Sequence, residues 1–384
     1  MILPIEILLS VFILVSIGFY LACALAVYRF FTTAPSLPDR PLDRPPVSIL
    51  VPVCGLDAEA RENWSSLCNQ DYPVYEVLFG IVSPDDPAVP VVRELAETYS
   101  DRVRLFIGLV PRGTNYKDSS LSYLLEESRY DTLIFADSDI RVHPSYIDTV
   151  TRPLADSRVG MVTCTFIGYE PRSTGAAIAS FGRCFDFIPS LLIARSIDGE
   201  LRFAVGATIA TRRSTLADYG GLHFNRIGSD YNIGKRAAEA GYRVELSPYV
   251  LDARTGSEGI GEVFRRELRW ARTIRFNRGA QYYTIIFCHG IVFGLPLLLV
   301  SGFASWAIGL VGVAIVVRFA QVLISIYYLK AFGLLKWLWA LPIRDLLSPI
   351  VWFAGAFGQR VYWRGRWLRV EGDGLISPWE SPQV

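Results

Sequence analysis

The chain has 384 residues, of which 51% are hydrophobic and 20% charged, with a formal net charge of +1. That balance excludes the basic excess of a nucleic-acid binder. Six scattered cysteines without a CxxC pair, and three histidines, argue against a disulfide framework, a zinc site and a His-rich metal site.

The first element is an uncharged stretch from Ile7 to Tyr28, 22 residues, enough to span a bilayer as a helix. It has neither a basic n-region nor a small-residue cleavage site, so residues 1–31 are expected to be a retained transmembrane anchor. Residues 32–46 follow as a linker; "APSLPDRPLDRPP" holds five prolines in 13 residues and should be stiff and extended.

Residues 47–278 then alternate strand and helix patterns. "VSILVPV" (47–53), "YEVLFGIV" (75–82), "RVRLFIGL" (102–109) and "TLIFA" (132–136) read as strands. Between them, 57–70, 88–100 and 119–129 read as helices. This βαβα order predicts an α/β domain with a mostly parallel, Rossmann-like sheet, whose ligands sit at the C-terminal strand ends. No GxGxxG follows the first strand, so the dinucleotide fingerprint is missing.

Asp137 and Asp139 fall just past the fourth strand, in "FADSDIRV". Residues two apart in an extended segment point to one side, which suits a hard divalent cation such as Mg2+ or Mn2+ that also holds a diphosphate. A polar turn at a strand end explains the same residues. Asp85 and Asp86, in "SPDDPA" after the second strand, could accept from a nucleoside, or form another turn. Asn115 and Lys117, in "NYKDSS", stand at the entry to the next helix, where Lys117 could meet a phosphate or simply be solvated.

Further on, "FAVGATIATRR" (203–213) reads as a strand with Gly206 marking a close backbone approach. Ser229 and Asp230 stand at a helix N-terminus, where both residue types are ordinary caps. The helix dipole should lower the Asp230 pKa, so a base there needs apolar or acidic surroundings to counteract it. A strand is expected over 242–246, and "FGRCFDFIPSLLIARSI" (181–197) reads as amphipathic and interfacial. In "FRRELRWARTIRF" (264–276) five arginines recur at helical spacing around Trp270, as an interfacial basic helix or as a diphosphate clamp.

The uncharged run from Gln281 to Val317, with its continuation to Leu329, can hold two spans, roughly 283–303 and 306–328, within a membrane region 279–330. Arg318 lies inside the second span and must face protein or snorkel. Residues 331–370 contain two short apolar pieces broken by "LPIRDLLSP", expected to be interfacial or re-entrant, before a tail at 371–384. Basic residues flank the spans on one side: Arg29, Arg40 and Arg44; Arg275 and Arg278; Lys330 and Lys336; and four arginines at 360–369. They predict a multi-pass protein whose central domain faces the cytoplasm.

In order, "VSILVPV", "SPDDPA", "NYK", "FADSDIRV", "SDYNIG" and "RRELRW" resemble the pattern of inverting GT-A glycosyltransferases, and more narrowly the ceramide glucosyltransferase family (glycosyltransferase family 21). The phrases "DDPA", "ADSDIRV", "GATIA", "LSPYV" and "ELRWARTIR" are most similar to its bacterial hopanoid branch, and the likeness covers residues 1–370. It implies a GT-A fold with N- and C-terminal transmembrane helices, in the bacterial inner membrane. It implies that Asp86, beside Asp85, meets the nucleoside, that Asp137 belongs to the donor site, and that Asp139 ligates the metal. Asp230 would be the general base, and Arg266, Arg269 and Trp270 would serve diphosphate and acceptor. Two departures are Ser229, where the family commonly has an acid, and "VPVCGLD", where it commonly has Lys-Pro-Leu-Lys-Gly.

The implied reaction moves N-acetylglucosamine or glucose from a UDP-sugar to a lipid hydroxyl entering along 181–197, giving a glycosyl hopanoid or, alternatively, glucosylceramide. A processive polysaccharide synthase ordinarily needs more spans and a Gln in place of Arg266. A degenerate fold serving as a binding module would have lost one of these carboxylates, and all are present.

Overall fold

The computed structural model describes residues 2–33, 44–57, 59–254 and 256–379, so most of the proline-rich linker and the last residues of the tail lie outside it. Packing divides the chain into two units that interleave in sequence. Met1–Ala34, Gly168–Ser196 and Thr255–Tyr362 make the first, and Pro35–Ile167, Ile197–Arg254 and Trp363–Val384 the second. Residues 168–196 and 256–278, read above as parts of the domain 47–278, thus pack within the first unit.

The second unit is α/β. Strands β1 (Val47–Val53), β2 (Tyr75–Ile81), β3 (Val103–Ile107), β4 (Thr132–Ala136), β5 (Ile140–Arg141), β6 (Val159–Tyr169), β7 (Thr208–Arg212) and β8 (Arg243–Arg254) form one sheet in the order β3-β2-β1-β4-β7-β6-β8-β5. The β3-β2-β1-β4 half is parallel, and β7 joins β4 antiparallel. β1 and β2 are almost wholly buried, which is why both read as unbroken apolar runs. Helices Ala60–Cys68, Val89–Thr98 and Tyr116–Glu127 connect the parallel strands, and Trp64, Leu67, Val92 and Leu95 join the strands in one core. β7 is shorter than the expected 203–213 because residues 206–207 turn away from the sheet, and β8 is longer than the expected 242–246.

The first unit is helical. Four of its helical stretches are long and apolar enough to cross a membrane: Pro4–Thr32, Thr174–Asp198, Ile260–Val300 and Ser305–Tyr328. The expected span over 283–303 falls largely in the apolar helical stretch Ile260–Val300, within which residues 279–293 form a 3₁₀ helix with a non-helical break at His289 and an α-helix follows over Gly294–Val300. Backbone groups there take partners from the N-terminal helix. Ser16 Oγ donates to Phe287 O (2.6 Å) and accepts from Gly290 N (2.6 Å), while the Tyr20 hydroxyl donates to Cys288 O (3.1 Å).

Over residues 181–197, Phe181, Cys184, Phe185, Ile188, Leu191 and Leu192 are buried at helical spacing, while Phe187 and Ile197 are exposed. The helix carries a π-turn at Gly182–Phe187, which holds Asp186. Arg318 is buried and pairs with Asp186 (2.9 Å) and Asp345 (2.7 Å), so it faces protein. Arg344 continues the chain, pairing with Asp186 (2.9 Å) and Glu267 (2.5 Å). "LPIRDLLSP" is therefore no break between short pieces; it opens the helix Leu341–Gly355, its charges matched inside the unit.

Candidate active site

In the second unit the candidate carboxylates line the C-terminal ends of the parallel strands. Asp137 follows β4 directly, and its amide donates to Ala207 O at 3.1 Å. The next carbonyl, Ser138 O, accepts from the buried indole of Trp64 at 3.0 Å, which anchors the loop between Asp137 and Asp139. Lys117 Nζ lies 2.5 Å from Asp137 Oδ1 and donates to Gly206 O at 3.3 Å. Burial works against the Lys117 charge, but the carboxylates of Asp137, Asp230 and Asp118 together outweigh it and leave the pKa above the usual lysine value.

Asp230 enters this group from the helix Ser229–Glu239. The helix is capped by Gly228, at φ 65°, so neither Ser229 nor Asp230 is the cap that the sequence suggested. The expected lowering of the Asp230 pKa is also corrected. Burial pushes it up and the Asp137 charge adds to that, against Lys117 and a backbone hydrogen bond from Tyr231. Gly206 makes this placement possible: a Cβ there would stand 2.9 Å from Asp230 Oδ2. The turn at 206–207 thus clears space for one carboxylate and offers a carbonyl to Lys117.

Asn115 is wholly buried, accepts from Asp118 N (3.2 Å), and donates its amide hydrogens to Asp118 Oδ2 (3.0 Å) and Arg226 O (2.9 Å). It caps the helix Tyr116–Glu127 and so fixes the first turn that carries Lys117. Asp118 was missed by the sequence reading. It is buried between Asn115 and Ser229, and burial pushes its pKa up to about 7, with Lys117 and a Ser229 hydrogen bond opposing. A cleft bordered by Lys117, Asp118, Gly206, Ser229 and Asp230 opens beside it.

Asp86 and Asp85 differ in environment. Asp86 accepts from Gly55 N through Oδ2 and from Ala88 N through Oδ1, both at 2.9 Å, and so ties the loops after β1 and β2 together. Asp85 is exposed. Among the described residues no cluster of three metal-ligating side chains occurs. Lys117 engages Asp137, and Asp139 follows two residues further along the same loop.

Arg266, Arg269 and Trp270 lie in the first unit, on the helix Ile260–Arg278. Arg266 pairs with Glu258 and lies 5.5 Å over the Trp270 ring. Arg272 and Arg275, counted above with the clamp, instead donate to backbone carbonyls at 356–360 and staple that segment.

The family model described as glycosyl transferase family 21 matches residues 8–376, and the chain belongs to that family of glycosyltransferases. Among curated relatives, ceramide glucosyltransferase 3 of Caenorhabditis elegans is 23% identical over 87% of this chain and 74% of its own length. Ceramide glucosyltransferase 1 of the same organism is 24% identical over 59% of this chain and 49% of its own length. A mannosyltransferase from Pyrobaculum calidifontis, solved in complex with GDP-mannose and Mn2+, superposes with a TM-score of 0.54 at 19% identity, covering 91% of this chain and 97% of that one. This last likeness is one of fold, the GT-A glycosyltransferase fold.

Proposed function

We propose that this member of glycosyl transferase family 21 transfers N-acetylglucosamine or glucose from a UDP-sugar to the hydroxyl of a membrane lipid, with inversion at the anomeric carbon. The observation that carries the reading is Asp230. Its carboxylate shares one site with Lys117 and Asp137, burial pushes its pKa up, and Gly206 leaves room for it. A general base works best with its pKa raised towards the working pH. In this reading Asp230 takes the proton of the acceptor hydroxyl as the oxygen attacks C1 from the face opposite UDP. The C1–O bond to phosphate breaks, and UDP leaves with the electron pair.

Lys117 pairs with Asp137 and holds its carboxylate in place. Asp86, fixed by two backbone amides, is proposed to face the nucleoside, with Asp85 beside it. Mg2+ or Mn2+ would be held by Asp139 with Asp137 and would supply Lewis-acid stabilisation of the departing diphosphate. For Arg266, Arg269 and Trp270 the family resemblance supports a role at diphosphate and acceptor. The flanking basic residues support a catalytic side in the cytoplasm, in a bacterial inner membrane. Membrane attachment is proposed through the N-terminal anchor and the helices of the first unit.

The hopanoid-like phrases of the sequence favour a bacteriohopanetetrol-type acceptor. Ceramide is the second reading, favoured by the printed names of the curated relatives. The test is UDP release by the purified protein with UDP-N-acetylglucosamine or UDP-glucose and either lipid, with the product identified by mass. A glycosyl hopanoid supports the first reading and glucosylceramide the second; no UDP release with any pair overturns both.

A further inference from the structure

The C-terminal segment of the second unit is fastened to three loops around the candidate carboxylates. At the exit of β1, Arg364 Nη1 donates to Cys54 O (3.1 Å) and Nη2 lies 3.7 Å from Asp57 Oδ2. At the entry to the helix that carries Lys117, Arg366 Nη2 donates to Thr114 O (2.8 Å), and its guanidinium lies 3.4 Å over the Tyr116 ring. Just before the helix that carries Asp230, Ile227 N donates to Gly374 O (2.8 Å), Ile376 N donates to Asn225 O (2.9 Å), and Arg226 pairs with Asp373 (2.5 Å).

Arg364 stands at the tip of the hairpin "YWRGRW". Its φ is 45° and that of Gly365 is 80°. Two positive φ values in a two-residue loop mark a type I′ turn, whose central positions ordinarily take Asn, Asp or Gly. An arginine is strained in that conformation. The pair with Asp57 offsets little of this: both side chains are about half exposed, 46% and 39%, at a loose 3.7 Å. The backbone would thus be better served by Asn, and the reason for arginine lies in where its charge is held. That place is the exit of β1, where Arg364 reaches Cys54 O and Asp57 and where Gly55 N donates to Asp86; the charges of Asp57, Asp139 and Asp137 favour its ionised form against burial.

We propose that the C-terminal hairpin belongs to the donor site and that Arg364 binds the diphosphate of the nucleotide sugar. The inference rests on the nucleotide-sugar reading above. When donor enters, Arg364 exchanges its loose contact with Asp57 for a two-pronged contact to phosphate oxygens, a geometry that guanidinium suits and ammonium does not. As the C1–O bond breaks, negative charge gathers on the leaving phosphate, and the guanidinium stabilises it. The clasp of residues 363–379 is what keeps the tip in place.

The test is titration of the full-length protein with UDP and UMP by calorimetry, with and without Mn2+, for wild type and Arg364→Asn. Asparagine fits the turn, so the variant should melt at the same temperature or higher. Its preference for UDP over UMP should fall by about tenfold or more, the usual weight of a lost charged hydrogen bond. An unchanged preference, or equal weakening towards both nucleotides, would overturn the inference while leaving the nucleotide-sugar reading intact. A wild-type protein that binds neither UDP nor UMP would overturn both.

Discussion

Asp230 and Gly206 show how closely the site is fitted at the level of single residues. Gly206→Ala would bring a Cβ to 2.9 Å from Asp230 Oδ2 and force the carboxylate aside. Displacements of that order cost up to about a hundredfold in rate, so a folded variant with turnover down about ten- to a hundredfold is expected. Steady-state kinetics beside a melting curve measures it, and wild-type turnover would show that the carboxylate does not need that position. Asp118 makes a different prediction. Its pKa is raised by burial to about 7, so the folded chain keeps a proton that the unfolded chain releases near pH 4. Stability is therefore lost as pH rises towards about 7, and is level above it. Asp118→Asn cannot ionise, so it should exceed wild type at pH 8 by on the order of 1–3 kcal/mol, with the gap closing near pH 4. Melting temperature against pH reads this directly, and an advantage largest at pH 4 would refute it. Of these residues, Gly206 was legible because a glycine inside an apolar strand pattern is unusual. Asp118 was not, since its burial follows from Asn115 and Ser229 closing over it, and Ser229 is far away in sequence.

At the scale of elements, strands of the parallel half were legible because burial on both faces demands unbroken apolar runs. Boundaries moved where an element does chemistry, as at residues 206–207. The membrane segments were harder to read. Within residues 181–197, Asp186 is matched by Arg318 and Arg344, which come from helices more than a hundred residues away. Periodicity carries no record of such pairing. The pairing has a consequence: truncating one member of a buried ionic chain leaves the others uncompensated, at about 3–5 kcal/mol. Arg318→Ala should therefore lower the melting temperature in detergent sharply, and Asp186→Asn should do the same. Wild-type melting for both would mean that the chain of charges contributes nothing to the fold.

At the scale of the whole molecule, the sequence announced an α/β unit with apolar helices at both ends, and the structure adds that the two units interleave. Residues 168–196 leave the catalytic half to pack with the apolar helices, and residues 363–379 return to it. No local pattern marks these exchanges, because each depends on partners far along the chain. Orientation can be tested with a native probe. Cys54 is exposed in the second unit, while Cys23, Cys68, Cys164 and Cys184 are buried and Cys288 is half-buried. An impermeant maleimide should leave intact cells unlabelled at Cys54 and label it after permeabilisation; labelling of intact cells would put the catalytic unit on the outer side. The central claim, that Asp230 takes the acceptor proton during sugar transfer, is tested most directly by Asp230→Asn. Asparagine is close in size and Gly228 does the capping, so the helix should be undisturbed. Single-turnover transfer from UDP-sugar to lipid should fall by about 10²–10⁴-fold with UDP binding retained. Transfer at the wild-type rate by a folded Asp230→Asn protein would contradict the account.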